Sequence, residues 1–195
     1  DIHWSCGTLD ILLNNMNFIH KVSKAYSKNS CDKLIKWFNE NTDKAQHGLA
    51  NKDKIKNLEI CLELKNAEDY FGLGKSIVKG IKDFKIKYPL IDKHINKWQL
   101  RNFVQLMKYE PNNYYDVIHC ENDGNEKFFK RVFAFMIFLN TIKKGGGTKF
   151  MFQKTTIKPI AGDLYIWPAH WTHLHQGVNA PKENKYIITG WVEYI

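Results

Sequence analysis

The chain has 195 residues, of which 44% are hydrophobic and 14% are aromatic. This composition indicates a folded globular protein and argues against intrinsic disorder. The sequence contains no uninterrupted apolar run of about 18 residues or more, so it offers no candidate transmembrane helix. The length suits one compact domain over residues 1–195, and no linker that would divide the chain is visible.

The formal net charge of +9 is spread evenly along the sequence. Residues 1–98 contain 17 basic and 12 acidic side chains, and residues 99–195 contain 12 and 8. Only Arg101 and Arg131 are arginine, the side chain that direct recognition of bases favours. Lysine, asparagine and isoleucine are all abundant, which is typical of an AT-rich genome. We therefore do not expect a nucleic acid as the partner.

The first half of the chain, residues 1–97, has mainly helical patterns. Asn29-Ser30 begins an amphipathic segment that predicts a capped helix running to Asn41. Residues 67–88 predict a second helix, which its three glycines weaken or break. Residues 41–58 are polar and rich in lysine and asparagine, and they predict an exposed loop.

The pattern changes at Trp98, where short runs of β-branched and aromatic residues begin to alternate with glycine, proline, asparagine and lysine. These runs predict strands near residues 99–109, 129–139, 149–153, 163–167, 173–178 and 185–195. We expect a mostly β protein with flanking helices, in which residues 1–97 support a β-rich core formed by residues 98–195.

His119-Cys120-Glu121 in this second half has the composition of a metal site. Side chains at i and i+2 of extended backbone share a face, so His119 and Glu121 point one way and Cys120 the other. Two imidazoles and one carboxylate hold Fe(II) on three positions and leave the others for substrate and oxygen. By itself, the H-x-E pattern is also typical of a solvated or hydrogen-bonded pair.

A second imidazole for this site must come from a distant element, and three histidines are close together later in the chain. They are His170, His173 and His175, of which His173 and His175 share a face if the backbone is extended. His175 follows His119 by 56 residues. His173 could equally be a supporting hydrogen-bonding group or a surface residue, and His170 fits a loop.

The predicted C-terminal strand carries Lys185, Ile187, Thr189 and Trp191 on one face. A buried ammonium is costly unless it is paired, so Lys185 on this largely apolar face indicates an anionic ligand. The alternative is that Lys185 begins the strand at its exposed end and extends to water. For Trp191, a pocket wall and ordinary core packing are both open.

Taken together, these motifs make the segment from Trp98 to Ile195, half of the chain, resemble the iron- and 2-oxoglutarate-dependent dioxygenases of the prolyl 4-hydroxylase type. The resemblance depends on the order and spacing of Tyr109-Glu-Pro, His119-Cys-Glu121, Arg131, Phe138-Leu-Asn140, Gly145-Gly-Gly-Thr148-Lys-Phe150, Pro159, Gly162-Asp163, Trp167-Pro168, His175-Gln-Gly177 and Lys185. It implies a double-stranded β-helix, a jelly-roll or cupin-like barrel, buttressed by the N-terminal helices.

The resemblance implies that His119, Glu121 and His175 ligate iron. The H-x-G pattern of the family and the ten-residue step to the lysine both select His175 from the three histidines. The family usually has aspartate where this chain has Glu121, so the carboxylate is kept on a side chain that is one methylene longer. Arg131 is explained as well by a structural ion pair as by a contact with substrate.

The resemblance also implies a site for 2-oxoglutarate. Lys185 would pair with the distal carboxylate of 2-oxoglutarate, and Tyr109 and Thr189 would be hydrogen-bond partners. Trp191, which shares the face of Lys185, is a candidate wall of the same pocket. The cofactors implied are Fe(2+), 2-oxoglutarate and O2, with ascorbate as an auxiliary reductant.

The implied activity is hydroxylation of a C–H bond. By family analogy alone, the substrate is a prolyl or other amino-acid residue of a peptide or protein, or a small amino-acid-like molecule. A catalytically silent jelly roll that binds metal or another ligand is the main alternative, and such a protein is expected to have lost the triad or Lys185. Nucleic-acid demethylation is a further alternative, but that branch typically places arginines after the distal histidine, and none follows His175.

The four cysteines, Cys6, Cys31, Cys61 and Cys120, show no C-x-x-C spacing. Because Fe(II) enzymes are most at home in a reducing compartment, we expect free thiols and a cytoplasmic protein. The sequence does not predict an oligomeric state.

Overall fold

The computed structural model describes residues 17–48 and 57–195. Three α-helices occur there, α1 (Lys28–Glu40), α2 (Asp69–Lys87) and α3 (Ile91–His94), with short 3-10 helices at Thr42–Lys44 and Trp171–His173. The ten described strands are β1 (His20–Val22), β2 (Gln46–His47), β3 (Leu58–Glu63), β4 (Trp98–Tyr109), β5 (Arg131–Phe138), β6 (Thr148–Phe150), β7 (Thr155–Ile157), β8 (Leu164–Pro168), β9 (His175–Gly177) and β10 (Lys185–Tyr194).

The strands form a large sheet and a small sheet, and every neighbouring pair is antiparallel. The large sheet has the order β1-β8-β5-β10-β4-β3-β2, and the small sheet has the order β7-β6-β9. Strands β10 and β4 form the longest ladder, from Lys185 opposite Tyr109 to Tyr194 opposite Trp98. No strand among residues 17–48 and 57–195 joins the two sheets into a continuous closed barrel.

Each face of the large sheet buries its own set of apolar side chains. One face packs against helices α1 and α2, with Leu34, Phe38 and Phe84 in that core. The opposite face packs against the small sheet, with Phe150 of β6 and Trp167 of β8 in the second core. Because side chains alternate along each strand, the large sheet supplies both cores at once. We call the second face, which looks toward the small sheet, the inner face.

Helix α1 begins at Lys28, just before the predicted cap at Asn29-Ser30. The side chain of Ser27, the N-cap residue, accepts a hydrogen bond from the backbone N–H of Ser30. Cys31, Leu34 and Phe38 recur at helical spacing and are buried against the sheet. The amphipathic pattern predicted the helix correctly, but the N-cap is Ser27 and not the predicted Asn29-Ser30.

Helix α2 is kinked in its first turn, as its glycines suggested. Tyr70, Phe71 and Gly72 all have positive φ, which interrupts the helical backbone there. Gly80 has no room for a side chain, because a Cβ at this position would lie 2.1 Å from Cδ2 of Leu164 on β8. The absence of a side chain therefore lets α2 approach the sheet closely.

The first half of the chain contributes three strands that the helical patterns did not predict. Strands β1 and β2 lie at the two ends of the large sheet, and β3 pairs with β4. Part of the predicted loop 41–58 is therefore strand, and its residues 49–56 lie outside the described residues. β1 and β2 have only three and two residues, too few for a periodic signal.

All six strands predicted after Trp98 are present, and the mostly β architecture with flanking helices is confirmed. β7, at Thr155–Ile157, is the one described strand of this region that was not predicted. Among the helices of the described ranges, none is both long enough and apolar enough to cross a bilayer.

Candidate metal centre and anion site

The predicted metal ligands lie on backbone that the small sheet and β8 hold in place. His119 is not in a strand; it forms an isolated antiparallel bridge with His175, the first residue of β9, through N–H to O distances of 3.0 and 2.9 Å. The N–H of Glu121 donates to the carbonyl oxygen of Ala169, just after β8, at 3.0 Å. His119-Cys-Glu121, expected as extended backbone, is therefore held by single backbone contacts to two separate elements.

These contacts bring together the three side chains that the sequence separates by 56 residues. The Nε2 atoms of His119 and His175 each lie 3.6 Å from Oε1 of Glu121. One ligand atom from each of the three residues lies within 4.8 Å of the others, so the group could hold one metal ion. His175 is buried, and the other two side chains are partly buried at the edge of the inner face.

Backbone carbonyls fix which nitrogen of each imidazole is available. Nδ1 of His119 lies 2.9 Å from the carbonyl oxygen of Val117, and Nδ1 of His175 lies 2.8 Å from that of His173. A carbonyl oxygen only accepts, so each Nδ1 carries the proton and donates it. Nε2 of each ring is then the nitrogen that can bind a metal, and both Nε2 atoms are directed at Glu121.

Glu121 is held as a carboxylate. Burial is the largest influence and alone would raise its pKa, but hydrogen bonds and charge interactions with His119 and His175 together hold the pKa well below the usual value for glutamate. For His119, burial acts to lower the pKa, and the same carboxylate outweighs it and raises the pKa. The three side chains are thus electrostatically complementary, with the negative charge between the two rings.

The second oxygen of Glu121 has its own partners. Nε1 of Trp191 donates to Oε2 at 2.7 Å, and Nη1 of Arg131 donates to the same atom at 3.2 Å. Arg131 is therefore engaged in a structural ion pair, one of the two roles that the sequence left open. The contact of Trp191 with Glu121 was not predicted.

Aromatic rings enclose the two imidazoles. Tyr115 lies 4.3 Å from His119 between ring centres, and Phe150 and Trp167 each lie 5.3 Å from His175. Phe150 and Trp167 are fully buried, which keeps the protein side of the cluster dry. Tyr115 was not predicted at all, because it lies in an irregular segment whose sequence has no periodicity.

Lys185 lies on the inner face and is buried, only 3% exposed. Burial lowers the pKa of its ammonium group from 10.5 to about 8, and no neighbouring charge raises it. Its one close partner is the ring of Tyr109, whose centre lies 4.6 Å from Nζ. The proposal that Lys185 extends to water is thereby excluded, and an unpaired cation remains inside the protein.

The residues predicted beside Lys185 share its face of the sheet. Tyr109 is the register partner of Lys185 on β4, and its buried hydroxyl lies 3.4 Å from Sδ of Met107. Thr189 is half-buried and lies four residues after Lys185 on β10, with Ile187 between them on the same face. Burial is the main cause that raises the pKa of Tyr109, and charge interactions with Glu59, Tyr115 and Glu121 add to it.

The other candidate ligands point elsewhere. His173 is buried with Nε2 at 3.0 Å from the carbonyl oxygen of Asn17 and Nδ1 at 3.0 Å from Oγ1 of Thr172. His170 precedes the short 3-10 helix and is absent from the cluster of potential ligand atoms. Cys120 directs its Sγ to the carbonyl oxygen of Asn122 at 3.3 Å, away from the imidazoles, as the alternation of side chains predicted.

The donor set fits iron and 2-oxoglutarate. Two neutral imidazoles and a carboxylate, with further positions open, match the facial triad of non-haem Fe(II) oxygenases. A buried ammonium without a counter-ion fits a ligand that carries its own carboxylate. Both features lie on the same side of the large sheet, since Trp191, which donates to Glu121, lies in the inner core together with Tyr109, the register partner of Lys185.

Comparison with protein families gives one match. Residues 104–193 match the model of the 2OG-Fe(II) oxygenase superfamily, and the match includes His119, Glu121, His175 and Lys185. Comparison with curated protein sequences gives no match. The chain is thus similar to the 2OG-Fe(II) oxygenases over the part that contains the candidate site.

Solved structures of prolyl hydroxylases have the same fold. A viral collagen prolyl hydroxylase from Paramecium bursaria Chlorella virus 1, in complex with 2OG, aligns with a TM-score of 0.68 and 22% identity over 94% of this chain and 99% of its own. A prolyl-4-hydroxylase from Pseudomonas putida aligns with a TM-score of 0.68 and 11% identity, over 97% of this chain and 98% of its own. A prolyl hydroxylase from Trichoplax adhaerens, in complex with a hypoxia-inducible-factor peptide, aligns with a TM-score of 0.69 and 14% identity, over 97% of this chain and 94% of its own. The predicted double-stranded β-helix fold is confirmed.

Proposed function

We propose that this protein is a 2OG-Fe(II) oxygenase that hydroxylates a prolyl or other amino-acid residue in a peptide or protein. The observation that carries the proposal is the pairing of two features on one inner face: a His-Glu-His cluster and a buried lysine that has no counter-ion among residues 17–48 and 57–195. A protein that had lost the activity would have no reason to keep both, because the unpaired cation is costly to bury.

In this proposal His119, Glu121 and His175 hold Fe(2+) through their two Nε2 atoms and Oε1. The Nδ1 hydrogen bonds to backbone carbonyls orient both rings before the metal arrives. The carboxylate reduces the net positive charge at the metal and remains ionised because the imidazoles hold its pKa low. Each of these contributions is made by the protein in advance of binding.

Lys185 pairs with the distal carboxylate of 2-oxoglutarate and so fixes the end of the molecule that does not react. Tyr109 and Thr189 offer hydroxyl groups on the same face for that carboxylate. A ligand carboxylate restores the charge that Lys185 partly loses through burial. With iron and 2-oxoglutarate bound, the chemistry supplied is oxidative: O2 is consumed, 2-oxoglutarate becomes succinate and carbon dioxide, and a substrate C–H becomes C–OH.

The aromatic rings exclude water from the reacting region. Phe150 and Trp167 close the protein side of His175, and Tyr115 covers His119. Water exclusion favours reaction with the bound substrate over side reactions. Trp191 contributes through Glu121 instead, since its N–H is already directed to that carboxylate.

The substrate class is proposed from the fold neighbours. Collagen, and a peptide of a hypoxia-inducible factor, appear with two of the similar prolyl hydroxylases, and both are polypeptides. A small amino-acid-like molecule is the alternative within the same chemistry. The excess of basic over acidic residues is similar in the two halves of the sequence, and this distribution does not favour nucleic acid as the substrate.

The organisation and location of the protein are also proposed. We propose a single domain over residues 1–195, since both cores of the described part use the same large sheet. We propose a reducing, cytoplasmic setting, supported by Cys31, Cys61 and Cys120, which are free thiols. Cys6 lies outside the described residues.

The test is a succinate assay. The protein is incubated aerobically with Fe(II), ascorbate and 2-oxoglutarate, with and without a panel of proline-rich peptides. We expect succinate in excess of the amount formed by Glu121→Ala and His175→Ala, a rise with at least one peptide, and a gain of one oxygen atom in that peptide by mass spectrometry. Glu126→Ala, which changes an exposed glutamate five residues away, is the matched control and should behave as wild type. Succinate no higher than in the two ligand variants would contradict the proposal.

A further inference from the structure

The carboxylate of Glu121 divides its two oxygens between different partners. Oε1 faces the two Nε2 atoms of His119 and His175 at 3.6 Å. Oε2 accepts hydrogen bonds from Trp191 and Arg131 at 2.7 and 3.2 Å. One oxygen is therefore directed at the metal position, and the other is turned away from it by two donors.

Both donors are themselves held in place. The guanidinium carbon of Arg131 lies 3.7 Å from the ring centre of Trp191 and 4.2 Å from that of Phe128, so the group lies against two aromatic rings. Nη1 of Arg131 also donates to the backbone oxygen of Glu121 at 3.2 Å. Nδ2 of Asn122 in turn donates to the carbonyl oxygen of Arg131 at 2.9 Å. The side chain and the backbone of Glu121 are thus fixed by the same cation.

A glutamate ligand needs such restraint more than an aspartate does. Its side chain has one more rotatable bond, and a free glutamate carboxylate readily binds a metal through both oxygens, as in many Ca²⁺ sites. Two-oxygen ligation would occupy an additional metal position. In a facial triad the open positions are needed for 2-oxoglutarate and oxygen.

We propose that Arg131 and Trp191 are positioning residues that restrict Glu121 to one-oxygen ligation and thereby keep a metal position open for 2-oxoglutarate. The inference rests on the proposed function, because it assumes that the His-Glu-His cluster binds the metal. It assigns to the two residues a role in ligand geometry. It also explains how this chain uses the longer carboxylate.

The test separates binding of metal from binding of 2-oxoglutarate. Trp191→Phe removes the N–H donor and keeps a ring beside Arg131. Calorimetry with Co(II) in the absence of O2, followed by titration with 2-oxoglutarate, gives both affinities. We expect Co(II) affinity equal to that of wild type or higher, and an affinity of the Co(II) protein for 2-oxoglutarate that is about tenfold to a hundredfold lower. The absorption spectrum of bound Co(II) should report the additional ligand oxygen.

Trp98→Phe is the matched control. It also removes an indole N–H, but the ring of Trp98 packs against Phe133 in the core on the helical face of the large sheet, away from the cluster. We expect it to leave both affinities near the wild-type values. If Trp191→Phe is not folded, as judged by its thermal melt, Arg131→Met removes the other donor and is measured in the same way.

A second arm tests whether the restraint is specific to glutamate. In the Glu121→Asp background, the shorter side chain lacks the freedom to swing its second oxygen onto the metal, so Trp191→Phe should lower 2-oxoglutarate affinity by much less. Equal losses in both backgrounds would overturn the proposal. So would a parallel fall of Co(II) and 2-oxoglutarate affinity, or no change in either. Failure of the wild-type protein to bind Co(II) and 2-oxoglutarate would instead contradict the proposed function.

Discussion

The ammonium of Lys185 lies 4.6 Å from the centre of the Tyr109 ring, directly across the β10–β4 ladder, and has no acidic partner among the residues described. An aromatic face stabilises a cation by about 0.5–2 kcal/mol. That is less than the cost of removing an ammonium from water. The protein therefore holds a cation that a bound carboxylate would stabilise, and two predictions concern this group.

Binding of 2-oxoglutarate should weaken as the pH rises above about 8. Lys185 is protonated below that pH in the ligand-free protein, because burial lowers its pKa to about 8. Above it the distal carboxylate meets a neutral amine, and the affinity should fall by up to about tenfold for each pH unit. Calorimetric titration of the metal-loaded protein from pH 6.5 to 9.5 measures this. Binding of 2-oxobutanoate, which lacks the distal carboxylate, is the control and should not show this loss.

Lys185→Met should stabilise the protein in the absence of metal and 2-oxoglutarate at pH 7. The folded pKa of about 8 lies below 10.5, so the charged group opposes folding below pH 8 by on the order of 3 kcal/mol. The folded state loses the proton first as pH rises from 8 to 10.5, so the advantage of the variant should shrink across that interval. Urea unfolding at several pH values measures the difference. Lys149→Met, at an exposed position of β6, should show neither effect.

Metal affinity should distinguish His175 from His173. His175→Ala removes a ligand and should lower Co(II) affinity by more than about a hundredfold. His173→Gln should leave it within about threefold, because both ring nitrogens of His173 bind other groups and its carbonyl remains available to His175. Equal losses in the two variants would show that the wrong histidine has been assigned.

Gly177→Ala should disturb the opposite side of the cluster. A Cβ at this position would lie 2.9 Å from the carbonyl oxygen of Tyr115. The same oxygen accepts a hydrogen bond from the N–H of Gly177 at 2.7 Å. The segment that carries Tyr115 and His119 must then move outward, so Co(II) affinity should fall about tenfold or more. Anaerobic titration measures it. Gln176→Ala, at the neighbouring position of β9, adds no atom near Tyr115 and should keep wild-type affinity.

The sequence predicted the second half of the fold well, because alternation of apolar side chains is a strong signal in strands such as β4, β5 and β10. It did not predict β1, β2 or β3. β1 and β2 have three residues or fewer, and the partners of β1 and β3 are 40 or more residues away, such as Ile166 opposite His20. Local pattern carries no information about such pairing.

The membership of the site could be predicted, whereas its internal contacts could not. Spacing and residue type, together with the family resemblance, singled out His119, Glu121, His175 and Lys185. The hydrogen bond from Trp191 to Glu121 depends on how the segment between β4 and β5 crosses the end of β10, which no local pattern specifies. Even so, strand parity placed Trp191 on the same face as Lys185, and Trp191 does lie in the inner core.

The bonds that fix the tautomers of His119 and His175 end on main-chain oxygens of Val117 and His173. Every amino acid supplies the same carbonyl, so no point substitution at those two positions deletes the acceptor itself. The sequence around the ligands can therefore drift while the chemistry of their ring nitrogens is inherited unchanged. What must be preserved is the path of the chain, and a single misplaced Cβ threatens that path more than the loss of a polar side chain does.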